Sequence, residues 1–141
     1  MKYSGSVLDF TEERNEALMR AYRAVIGSRE VLSLAEISER IVNRPCSRFW
    51  VSEGRAAVII SEMLKGNPIL YTMRETKREM FQEIFRRVVS LREKHPKASL
   101  AFLVKEVIYS PAPKFYMRPR CAMEIIYKLK RDFYKNKVRC R

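Results

Sequence analysis

Two short strings carry the residues best suited to binding chemistry. Pro45-Cys46-Ser47-Arg48-Phe49-Trp50-Val51 and Pro111-Ala112-Pro113-Lys114-Phe115-Tyr116-Met117 share one order: proline, two spacers, a base, phenylalanine, a large aromatic and an apolar residue. A cation beside an aromatic ring can neutralise a phosphate while the ring stacks on a base or sugar. In an extended segment, alternation turns Phe49 and Phe115 toward the core. Arg48, Trp50, Lys114 and Tyr116 then face outward, toward a ligand. Packing of Trp50 and Tyr116 into the interior is the competing reading, because large aromatics are highly buried on average.

Further bases follow the second string. In a helix starting at Pro119, Arg120, Glu124, Tyr127 and Arg131 fall opposite the apolar Ala122, Ile125, Ile126 and Leu129, with Lys128 and Lys130 flanking. Guanidinium groups on such a face can reach phosphates or guanine edges. Arg118 precedes this helix, and Lys135 and Lys137 lie in the basic end of the chain. At the corresponding places after the first string stand Gly54, Val58, Ser61 and Lys65, with Arg55 as the best phosphate contact. That nearly uncharged face suits a protein partner.

Catalytic and metal chemistry find little footing. The single histidine, His95, has no serine or cysteine motif around it, and no Gly-rich phosphate loop is present. Glu75, Glu79 and Glu83 recur every four residues, but Arg78, Arg86 and Arg87 are spaced to pair with them along a helix. Cys46, Cys121 and Cys140 are an odd set without a C-x-x-C pair. No enzyme, cofactor or metal site is expected.

The charge points to a polyanion. Of 141 residues 29 are Lys or Arg and 16 Asp or Glu, a net charge of +13. Residues 1–70 hold 10 bases against 9 acids, while residues 71–141 hold 19 against 7. Clustered bases gain free energy by releasing counterions from nucleic acid, so the second half should supply most of the grip. DNA is favoured over RNA, since no RNP or G-x-x-G motif occurs. No apolar run is long enough to span a bilayer and the first ten residues do not resemble a signal peptide, so a soluble, cytoplasmic protein is expected.

The elements that must position these residues are helices. Thr11 is expected to cap a first helix with Leu18, Ala21, Tyr22 and Val25 inward, ending at Gly27. Ser33 caps a short second helix carrying Leu34, Ile37, Ile41 and Val42; Ser52 caps a third with Ala56, Ile59, Ile60, Met63 and Leu64 inward. The plan then recurs. Thr72 is expected to cap a long helix with Met80, Phe81, Ile84, Val88 and Leu91 inward, and Ser99 a short one with Leu100, Leu103, Val107 and Ile108, before the helix at Pro119.

Shifting the chain by 66 residues lays Ser33–Lys65 on Ser99–Arg131 without a gap, with eight of 33 pairs identical, Pro45/Pro111 and Phe49/Phe115 among them. Helical periodicity imposes nothing on the loop, so this reads as a tandem duplication. The expected fold is all-α: two three-helix, helix-turn-helix-like modules at 9–66 and 72–132, packed as one compact or bilobed protein, and a basic tail at 133–141. The expected function is double-stranded DNA binding by a transcriptional regulator or architectural factor. The alternative is a protein-interaction or assembly component with a basic surface.

Overall fold

In the computed structural model, which describes residues 4–139 with side chains over 10–136, three serines set three helix starts. Ser33 Oγ accepts from Glu36 N at 3.2 Å, Ser52 Oγ from Arg55 N at 3.3 Å and Ser99 Oγ from Phe102 N at 3.1 Å. Each bond satisfies one of the amides a helix leaves without an internal partner, a contribution of about 1 kcal/mol. The helices in chain order are α1 (Ser4–Ile26), α2 (Leu34–Val42), α3 (Glu53–Leu64), α4 (Glu75–Lys94), α5 (Leu100–Ile108) and α6 (Pro119–Arg139), with a 3-10 turn at Ile69–Thr72. The fold is all-helical and compact, and no strand occurs among the described residues.

Some boundaries differ from expectation, each for a local reason. Thr11 lies inside α1, because Phe10 already packs against the core and carries the helix upstream. Thr72 is used by the 3-10 turn that brings Ile69 and Leu70 onto the core, so α4 starts at Glu75 behind Arg74, which makes no side-chain cap bond. Leu34 is exposed at the first turn of α2. Residues 133–139 continue α6 instead of forming a separate tail; no Gly or Pro interrupts them.

The packing order is not the chain order. α3 packs on α4 and α5, while α6 packs on α1 and α2. Each third helix thus crosses to the helices of the other half, and the buried side chains form one cluster that draws on both halves. A helix-turn-helix holds its second and third helices together across a turn of three or four residues. Here residues 43–52 separate α2 from α3, and α2 packs on α1 and α6 instead.

The crossing is made by the two proline-led loops. Cys46 and Ala112 exchange both backbone hydrogen bonds at 2.9 Å; Phe49 N donates to Ile108 O and Phe115 N to Val42 O, also at 2.9 Å. The second pair of bonds repeats at an offset of 66 residues. The rings follow suit: Phe49 stacks on Tyr116 with centroids 5.8 Å apart, and Phe115 on Trp50 at 6.3 Å. Phe49 is fully buried. Phe49→Ala is expected to cost about 3–5 kcal/mol in chemical denaturation, since it empties a site lined by both halves.

Candidate nucleic-acid interface

The loops hold their bases inward. Arg48 is only 6 % exposed, with Nε donating to Phe49 O at 2.9 Å and Nη2 to Val51 O at 2.7 Å. Its guanidinium also lies over the Tyr109 ring, 4.4 Å from the centroid. Tyr109 donates in turn to Glu53 Oε2 at 2.7 Å, so a carboxylate reaches the buried cation through a phenol. The expectation that Arg48 faces a ligand is therefore corrected: planar stacking and two carbonyls within three residues commit its charge to closing the loop. Trp50, 6 % exposed and stacked on Phe115, takes the interior alternative and lies in the core rather than facing a ligand. Its indole nitrogen is the one buried side-chain N or O atom without a hydrogen-bond partner among the described residues.

The second loop is more open. Lys114 Nζ lies 2.7 Å from Glu79 Oε2 and 5.5 Å from the Tyr116 ring centroid, so its charge is shared with an acid. Tyr116 is half-buried and adopts a left-handed backbone, φ 57°, a conformation that costs a bulky residue of the order of 1–3 kcal/mol. Stacking on Phe49 and contact with Lys114 hold it there. Along α4, Glu83 pairs with Arg86 at 2.6 Å and with Arg87 at 2.7 Å, hydrogen bonds that hold its carboxyl below the usual range.

Two acids beside the crossing have strongly shifted titrations. Burial pushes the Cys46 thiol up to about 11, against a small opposing pull from the nearby Trp50 indole. Burial, and then the negative charge of Glu83, raise the Tyr116 hydroxyl to about 12. Both groups keep their protons in the fold at a pH where the unfolded chain has released them, so each contributes stability that is full below its ordinary value and lost as pH rises through the raised one, from about 9 to 11 for Cys46 and from about 10 to 12 for Tyr116. Thermal melts should show a falling midpoint across that window. Cys46→Ala should flatten part of the fall.

The outward face of α6 is a different surface. Ala122, Met123 and Ile126 are buried, and Arg120, Tyr127, Lys128, Arg131 and Lys135 are exposed on the opposite side. Arg120 has 90 % side-chain exposure and only a 3.4 Å contact to Glu124, itself open to solvent. Lys128, Arg131, Lys135 and Arg118, just ahead of the helix, form no ion pair among the described residues. Tyr127 lies between these bases, 48 % exposed. Lys130 departs from the expected flank: its Nζ donates to Tyr22 Oη at 3.2 Å and sits 5.1 Å from that ring, because α1 runs beside it. The side chain of Lys137 lies outside the described residues.

Arg55 is exposed in the first turn of α3, and it belongs to a grouping that no local sequence pattern foretells. Burial, followed by the charges of Arg55 and Arg14, holds the Lys77 ammonium below its ordinary range. These three cations come from α3, α1 and α4, so only the fold brings them near one another. Opposite the core, α3 carries an exposed Val58 with Gly54. No helix among the described residues is long and apolar enough to cross a membrane. Comparison with protein-family models, with curated proteins and with solved structures finds no match for this chain.

Proposed function

We propose that this chain binds duplex nucleic acid without catalysing a reaction, gripping phosphates with the bases of its second half and laying the outward face of α6 in the major groove of DNA. The observation that carries this reading is the face of α6 itself. Arg120, Lys128, Arg131 and Lys135 stand exposed along a helix of about 31 Å, docked by its other side on α1 and α2. Phosphate contacts would fix the register and the two arginines would read base edges. The reading unit is then the composite α1–α2–α6, not 72–132 alone.

We read the two halves as tandem copies of one unit that have exchanged their third helices. The paired loop hydrogen bonds and ring stacks, 66 residues apart, support this. The copies have diverged in charge. α3 presents Val58 where α6 presents Glu124 among bases, which favours a protein partner for the α3 face as a second role. Regulation of transcription or DNA architecture both fit a small basic binder.

Fluorescence anisotropy with nuclease-treated protein tests the proposal. Labelled duplex DNA should bind more tightly than single-stranded DNA or duplex RNA of equal length. Equal affinity for all three would remove the groove and leave only charge.

A further inference from the structure

The outward face of α1 carries a pattern that the nucleic-acid reading does not use. Glu12, Glu16, Met19 and Arg23 follow one another along the helix at spacings of four, three and four residues, with Arg20 flanking. Glu12, Glu16 and Arg23 are exposed, while Met19 between them is partly buried against the core. All four charged side chains are exposed, and none forms an ion pair or side-chain hydrogen bond among the described residues. Acids occupy one end of the stripe and bases the other, with an apolar residue between.

Such a stripe is complementary to itself when reversed. Two copies of α1 laid antiparallel with Glu12 opposite the partner's Arg23 bring Glu16 opposite the partner's Met19 and within one residue of the partner's Arg20, and two-fold symmetry makes each contact twice. The stripe itself forms the α1 wall of a groove of about 1070 Å³, whose other wall is Leu129, Lys130, Phe133 and Tyr134 on the distal half of α6. Phe133 and Tyr134 are 64 % and 63 % exposed.

We infer that this face joins two copies of the chain, the α1 of one copy lying antiparallel on the α1 of the other with Phe133 and Tyr134 covered. Net charge supports this choice of occupant. Copies carrying +13 repel wherever their basic surfaces meet, whereas this stripe holds two acids and two bases and is locally neutral. The bases of α6 that face away from its core, Arg120 and Arg131, stay outside the interface. A dimer would therefore present two such faces related by a two-fold axis, the arrangement that matches two half-sites on a duplex.

The test is the mass of the nuclease-treated full chain in solution, by sedimentation equilibrium over a range of concentrations, so it does not depend on nucleic-acid binding. The wild-type chain should approach twice the monomer mass. Glu12→Arg with Glu16→Arg makes the stripe wholly basic, and Arg20→Glu with Arg23→Glu makes it wholly acidic. Each double variant alone should lose at least tenfold in self-association while keeping its helical melt. Mixed together, the two should form a one-to-one dimer, since an acidic stripe then meets a basic one. A wild-type chain that stays monomeric at every concentration would overturn the inference, as would a double variant that remains dimeric alone, or a mixture that fails to pair.

Discussion

Cutting the chain between Gly66 and Asn67 is expected to leave a folded one-to-one complex of fragments 1–66 and 67–141, while neither fragment alone is expected to fold as a monomer. Gly66 lies on the surface with φ 82° and open space around it, so the cut falls outside the core. The fragments hold one another's core. Ala56, Ile59 and Ile60 are buried where α3 packs on α4 and α5, and Ala122 and Ile126 where α6 packs on α1 and α2. Each large apolar side chain left exposed forfeits about 1.5–3 kcal/mol. Three or four such losses equal the whole stability of a small domain, about 5–15 kcal/mol. Circular dichroism of the separate and mixed fragments measures this directly: helix and a cooperative melt should return only on mixing. A single fragment that melts cooperatively as a monomer would mean that each half completes its own core.

The second large effect is expected at α6. Replacing Arg120 and Arg131 together with alanine should weaken duplex binding by about 1–3 kcal/mol for each arginine that reads a base edge. Both side chains are exposed and outside the core, so stability should move by no more than about 0.5 kcal/mol. Arg48→Ala should do the reverse. Its side chain satisfies two loop carbonyls and covers Tyr109, so its removal should lower stability and leave the α6 surface as it was. The contrast separates a base that binds from a base that builds.

Local patterns in the sequence foretell what a residue does to its own helix, and fail where the partner is distant. Ser33, Ser52 and Ser99 cap as their spacing to the following amides requires, and Phe49 and Phe115 are buried as their repeated position suggests. The outward set on α6 is readable because helical period fixes faces without reference to anything outside the helix. Arg48 is misread, and Trp50 left undecided, because alternation presumes an extended strand, whereas the loop folds back on its own carbonyls and on the other loop. Lys130 turns to Tyr22, which lies 108 residues earlier. The packing of α3 on α4 and α5 and of α6 on α1 and α2 is hidden for the same reason: apolar periodicity tells that Ile60 and Ile126 are buried, not which half buries them.

That α6 grips a duplex through its outward bases is tested most directly by the salt dependence of DNA affinity, measured for the wild-type chain and for a variant with Arg118, Arg120, Lys128 and Arg131 changed to alanine. The wild-type affinity should fall steeply as salt rises, and in the variant the slope of log affinity against log salt should shrink by about 0.9 for each phosphate that is no longer neutralised. A wild-type chain whose duplex affinity ignores salt, or a variant that keeps both the affinity and the slope of the wild type, would contradict it.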